Sequence, residues 1–453
     1  MHSLNDITGT GDLYNPYGDA ELLARAQRCG LDPTDIIYLS LGETWNQAAE
    51  GLRSALARAV APHHHGYVLT PYGLPELRRL LRSCIPVDHH LPDAAVLGED
   101  YDVAVSQNGT RNAMFHFARL LAERADGDAA RPVAVCSSPG WDYSGVFTAV
   151  GYTMRSFSVT SRSCYQPDAE EVRTLLRGAR ARTRGPVLLV VNAQHNPTGA
   201  NWDATTVRTM IRSALETDCS ILVDDAYYAL HDPHTAPTSA LRILLEELAP
   251  LPAARRPPWL AVRSLSKQFH CNGWGIGATT GPPALLEELL GRLLPQYCFV
   301  SAVPLQAAMA TWLQDGASRA HLEHQRQEYA AKRTEVTRRL TRDLGYPEGS
   351  YFAGPCGPYL LLRVPPWFDE HVAREDYRTW CLHRSGVLLG EARMSTPGKH
   401  HRGDQDHVRL FLGPPRSDLG QALDRMVAAG LGWNVSSASS PCSVPSASSA
   451  PVR

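Results

Sequence analysis

PVLLVVNAQHNPTG, residues 186–199, is an apolar run that stops abruptly at Asn, Gln and His and then turns through Asn196-Pro197-Thr198-Gly199. Six apolar residues without alternation read as a strand covered on both faces, the pattern of a parallel sheet between layers of helix. The same plan recurs on either side. DIIYLSLG (35–42), DVAVSQNG (102–109), RPVAVCSSPG (131–140), SILVDDAYY (220–228) and PWLAVRSLSK (258–267) are apolar strands that end in polar residues or glycine. Helical spacing follows several of them, in TRNAMFHFARLLAER (110–124), ATTVRTMIRSALE (204–216) and PALLEELLGRLL (283–294). Strand, polar loop and helix in repetition define an α/β fold with a mostly parallel central sheet and helices on both faces. In such sheets ligands bind at the carboxyl ends of the strands, where these polar residues lie.

The pattern changes after residue 305. A charged helix over 317–343 precedes two strand-like pieces, YLLLRV (359–364) and HVRLFLG (407–413), as in a smaller α+β domain. The expected division is an N-terminal segment (1–45) that contributes to the small domain and a lid, a large domain (46–305), a small domain (306–434) and a tail (435–453). The tail, VSSASSPCSVPSASSAPVR, has too little apolar surface to order itself. Residues 231–258, proline-rich with one helix over 239–248, read as a surface insertion.

Composition narrows the function. The 453 residues are 43% hydrophobic and 20% charged with net charge −2, which excludes a polyelectrolyte pull towards nucleic acid or an anionic membrane. No apolar run is long enough to span a bilayer. The start, MHSLNDITGTGDLYNP, has no basic or apolar secretory pattern, and it is too short and not basic enough for a DNA-binding domain. Ten scattered cysteines without CxxC spacing suggest reduced thiols, so a cytoplasmic enzyme is expected. No metal site is expected either. Adjacent histidines, His63 to His65, cannot all converge on one ion, and His400-His401 lies in a loop of the same kind.

Four strand ends carry the chemistry together. They are Asn196 in NPTG, Asp224 with Tyr227 in VDDAYY, Ser264, Ser266 and Lys267 in SLSK, and Arg409 in HVRLFLG. In this order and at these intervals, over roughly residues 35–430, the chain resembles the class I/II aminotransferases. That family comprises fold-type-I enzymes dependent on pyridoxal 5′-phosphate. The resemblance implies that Lys267 forms a Schiff base with the cofactor and then moves the Cα proton, which requires a deprotonated amine. It implies that Asp224 faces the pyridine nitrogen, Asn196 and Tyr227 bond the ring hydroxyl, and Trp141 of SSPGWDY stacks on the ring. Gly109, Thr110 and Arg111 open a helix where free amides attract the phosphate, joined by the hydroxyls of Ser264 and Ser266. Tyr67, with Tyr72 as its competitor, would reach the phosphate across a homodimer interface. Arg409 would clamp the substrate carboxylate, and Gly42 would lie beside the substrate.

One position departs from that pattern. Eight residues after Lys267 the family places a phosphate-binding arginine, and here GWGIG puts Gly275. Arg111, then His270, are the candidates to replace the cation, and the glycine would leave volume for a bulky substrate. Tyr14, Tyr17 and Trp45 read first as core or lid residues that need no ligand, with closure over a bulky apolar or aromatic substrate group as the alternative. Two outcomes stay open: transamination of an amino acid, or elimination, replacement or carbon–carbon bond formation on an activated one. S-adenosylmethionine in the ACC-synthase-like, natural-product branch is an example of the latter. A cofactor-binding transcriptional regulator lacks support, and neither nucleic acid nor membrane is an expected partner.

Overall fold

The computed structural model describes residues 19–40, 48–58, 64, 66–124, 131–298, 302–369, 376–392 and 407–434. Gly42, Trp45, Tyr14, Tyr17, His63, His65, His400, His401 and the tail from 435 lie outside them.

Seven strands form the larger sheet: β2 (Asp102–Ser106), β3 (Val133–Ser138), β4 (Thr153–Ser158), β5 (Val187–Val191), β6 (Ser220–Asp224), β7 (Trp259–Ser264) and β8 (Gly277–Gly281). Their order is β2-β8-β7-β6-β5-β3-β4. Neighbours from β7 through β4 pair in parallel, while β8 runs antiparallel to both β2 and β7. Every residue of β2, β5, β6, β7 and β8 is buried, as continuous apolar runs between two helical layers require. β8, with the sequence GATTG, carries no apolar pattern. It belongs there because it is small: a Cβ on Gly277 would meet the Arg263 carbonyl of β7 at 2.3 Å.

A second sheet has the order β1-β11-β12-β10-β9, built from β1 (Ile37–Leu39), β9 (Tyr351–Phe352), β10 (Tyr359–Arg363), β11 (Val387–Glu391) and β12 (His407–Phe411). β1 pairs in parallel with β11, so the N-terminal segment joins the C-terminal sheet. The charged helix runs Gly316–Arg342 and packs Tyr329, Val336 and Leu340 against this sheet.

Helix Val303–Gln314 packs Val303, Ala307, Met309 and Trp312 into the core of the larger sheet. Residues 231–258 are not a surface insertion. Helix Ala240–Leu248 buries Ala240, Leu241, Ile243, Leu244, Leu245 and Leu248 in that core, and Ser239 caps it by accepting the Arg242 N–H. Prolines at its flanks mark only its ends. Among the described residues no helix is long and apolar enough to cross a membrane.

Candidate active site

β6 ends on Asp224, and the chain turns at once, Oδ1 accepting the Ala226 N–H at 3.2 Å. Oδ2 accepts from the Tyr143 hydroxyl at 2.6 Å. Burial pushes the Asp224 carboxyl up to about 6, against the pull of these two donors. Asp225, equally buried, is also raised, by burial and then by Asp224. A buried carboxylate answered only by neutral donors favours a cationic group placed against it. Asn192, at the end of β5, ties the neighbouring turn to this strand. Its amide donates to the Asp224 carbonyl at 2.7 Å while its Oδ1 accepts the Asn196 N–H at 2.9 Å.

β7 ends on Ser264, whose Oγ accepts the Lys267 N–H at 3.2 Å and caps the short helix Leu265–Gln268. That turn carries the Lys267 ammonium to 6.0 Å from the Tyr227 ring centre. Ser266 Oγ accepts the Ile276 N–H at 3.0 Å and donates to the Ile276 carbonyl at 3.1 Å, tying the lysine turn to the start of β8.

Helix Gly109–Glu123 opens onto the same space behind Asn108, which is left-handed at φ 59. Arg111, in its first turn, lies over Trp141 with its guanidinium carbon 4.2 Å from the ring centre, and Nη1 pairs with Asp142 Oδ2 at 3.2 Å. Arg409, 1% exposed, sits on β12 opposite Leu361 of β10 and Gly390 of β11. Its Nη1 donates to Asn196 Oδ1 and its Nη2 to the Ser40 carbonyl, both at 3.0 Å, and it lies 4.3 Å from the centre of Tyr359. The Tyr359 and Tyr227 hydroxyls share a 2.7 Å hydrogen bond.

These elements enclose one cavity of about 340 Å³. Lys267, Asp224, Tyr227, Asn196, Ser264 and Ser266 line it from the strand ends. Gly109, Thr110, Arg111, Trp141 and Gly275 line it around the start of the helix, and Arg409 of β12 lines it as well. Tyr67 does not reach the cavity of its own chain and is 69% exposed, while Tyr72 packs its ring under Arg78 at 4.1 Å. Gly42 lies outside the described residues. His270 is absent from the lining: its Nε2 meets the Tyr329 hydroxyl at 3.0 Å, and burial, then His321 and Lys332, push its ring down to about 4. Gly275 is less an open space than a close contact, since a Cβ there would lie 3.1 Å from the Gly109 nitrogen. Sequence reasoning missed Asn192, Asn272, Met114 and Tyr359 among the lining, and Tyr143 behind Asp224. Asn192 stood in plain view at the end of VLLVV, whereas Tyr359 comes from the other sheet and carries no local signal.

A lysine, a buried carboxylate and an anion-receptive helix start around one cavity suit an aldehyde-bearing, phosphorylated pyridine, and define an enzyme acting at the α-carbon of amino acids. Residues 34–414 match the family described as aminotransferase class I and II, and the chain belongs to that family, whose members depend on pyridoxal 5′-phosphate. It is 25% identical to the aspartate/prephenate aminotransferase of Thermus thermophilus over 417 residues, covering 90% of this chain and 95% of that protein. It is 26% identical to the capreomycidine synthase of Streptomyces vinaceus over 294 residues, covering 64% of this chain and 66% of that protein. Among solved structures, a double mutant of Thermus thermophilus aspartate aminotransferase matches it with TM-score 0.72 at 25% identity, covering 95% of this chain and 100% of that one.

Proposed function

We propose that this chain transfers the amino group of an amino acid, with Lys267 as covalent anchor and proton carrier. The observation that carries this is the meeting of Lys267 from the short helix after β7, Asp224 from the end of β6 and Arg409 from β12 around one cavity. Bound there, pyridoxal 5′-phosphate supplies an aldehyde that captures amines and a ring that draws electrons from the substrate α-carbon. The chain's own residues do the rest. Asp224 would keep the ring nitrogen protonated, and Tyr143, donating at 2.6 Å, fixes the orientation of that carboxylate. Asn196 and Tyr227 would bond the ring hydroxyl, and Trp141 would cover the ring face. Thr110 and Ser264 would offer an amide and hydroxyls to the phosphate, while the Gly109 N–H and the Ser266 hydroxyl beside them are already bonded to the Gly275 and Ile276 carbonyls. Arg409, already held by Asn196 and Ser40, presents a preorganised fork to the substrate carboxylate. Lys267, which lines the same cavity, would hold the cofactor's aldehyde and would move the proton of the substrate α-carbon.

The exposed side chains of Tyr67 (69%) and Leu69 (90%) support a homodimer in which each copy completes the other's phosphate site. Similarity to a relative named as a synthase supports a second outcome on the same residues, elimination, replacement or carbon–carbon bond formation. Incubation with a panel of amino acids, with and without a 2-oxo acid, separates the two. Transamination requires the 2-oxo acid for sustained turnover and leaves a new amino acid. Product formed equally without it assigns the second outcome.

A further inference from the structure

The phosphate of a bound cofactor carries close to two negative charges, and a charge-assisted pair holds such a group more firmly than amides and hydroxyls alone. Residue 275, where the family's pattern places a cation, is a glycine at φ +60 whose carbonyl accepts the Gly109 N–H at 2.6 Å. A Cβ at 275 would stand 3.1 Å from the Gly109 nitrogen and 3.3 Å from the Asn108 carbonyl carbon. A side chain there would be strained by the positive φ and would press on the helix start, whose backbone would have to give by a few tenths of an ångström. In this chain the loop is used as a cap, and it consumes one of the helix's unpaired amide donors. Ser266 has also given its hydroxyl proton to the Ile276 carbonyl. The anion cup is thus left with fewer neutral donors and, at 275, no charge.

Three cations line the cavity among the described residues. Lys267 stands at the strand end, and Arg409 is engaged with Asn196 and Ser40. Arg111 alone of the three stands in the first turn of helix Gly109–Glu123, beside the amides of Gly109 and Thr110. Its guanidinium is pre-positioned on both sides, stacked 4.2 Å over Trp141 and paired at 3.2 Å with Asp142. Asp142 is itself fixed, because its other oxygen accepts the Gly145 N–H at 2.8 Å.

We propose that Arg111 is the counter-charge of the cofactor phosphate in this chain, the cation having moved from the loop after Lys267 to the first turn of the helix, where Trp141 and Asp142 hold it ready. The proposal rests on the pyridoxal-phosphate reading above. It makes Arg111 the residue that distinguishes the phosphorylated cofactor from the same ring without phosphate.

The test compares dissociation constants of pyridoxal 5′-phosphate and of pyridoxal, titrated by absorbance, for the native chain, Arg111→Met and Arg111→Lys. Arg111→Met keeps apolar contact with Trp141 and removes the charge. It is expected to weaken pyridoxal 5′-phosphate by roughly tenfold to hundredfold while pyridoxal changes by less than about twofold. Arg111→Lys should recover part of the loss. Should Arg111→Met fail to fold, Arg111→Gln carries the same comparison. Equal weakening of both ligands would make Arg111 a structural prop for Trp141 and overturn the proposal, as would unchanged affinity for both. A native chain that binds neither ligand would instead remove the cofactor reading beneath it.

Discussion

Asp224 links the chemistry of this site to the stability of the protein through a single proton. Its carboxyl, ordinarily near 3.8, is pushed up to about 6 in the folded, cofactor-free chain. Between those values the folded state holds a proton that the unfolded state has released, so stability falls as pH rises from about 4 to 6. Two units correspond to at most about 3 kcal/mol. Asp224→Asn removes that penalty, so the cofactor-free variant should melt higher than the native chain at pH 7–8, by about 1–3 kcal/mol, while turnover collapses. Cofactor affinity of the native chain should rise as pH increases through about 6, because a protonated ring nitrogen favours the ionised carboxylate. Melting curves and cofactor titrations from pH 5 to 8 check both, and a variant less stable than the native chain at pH 8 contradicts the account. Arg409 is the proposed substrate clamp. Arg409→Ala should raise KM by roughly 30- to 1000-fold, about 2–4 kcal/mol, since a desolvated carboxylate loses its charged partner. Cofactor affinity should stay within about threefold, and an unmoved KM takes Arg409 out of the substrate site.

At the scale of elements, the strands that carry site residues were legible because each is an apolar run ending in a residue with chemistry. β5, β6 and β7 lie within one residue of their expected starts. What escaped was whatever owed its place to distant partners. β8 is glycine and threonine throughout, and only its fit between β2 and β7 makes it a strand. Helix Ala240–Leu248 was read as peripheral because prolines bracket it, yet LRILLEEL turns its leucines onto helix Ala204–Glu216. Leu244 is fully buried there. Leu244→Ala should destabilise by about 2–5 kcal/mol in a urea melt, and a loss below about 0.5 kcal/mol would return this helix to the periphery. The site shows the same division. Asn196, Asp224, Tyr227 and Lys267 announce themselves locally, whereas Tyr143 and Tyr359 matter only once two elements far apart in the chain have met.

For the whole molecule, the cavity is lined by residues at the strand ends of the larger sheet and by Tyr359 of β10 and Arg409 of β12 in the smaller one. β1 pairs with β11, and the strand leads through Ser40, whose carbonyl holds Arg409, so the N-terminal segment supports one of the residues that line the cavity. Exposed Tyr67 and Leu69 stand outside that single-chain cavity. A homodimer is therefore expected in light scattering of active enzyme, and an active monomer would exclude a Tyr67 contribution from a neighbouring copy. The central claim is that Lys267 holds the cofactor covalently, and borohydride reduction of the loaded protein followed by peptide mass spectrometry tests it most directly. The account predicts a single pyridoxyl-phosphate adduct on Lys267, absent from Lys267→Ala. An adduct of equal yield on the Lys267→Ala chain, or one on another lysine of the native chain, would contradict it.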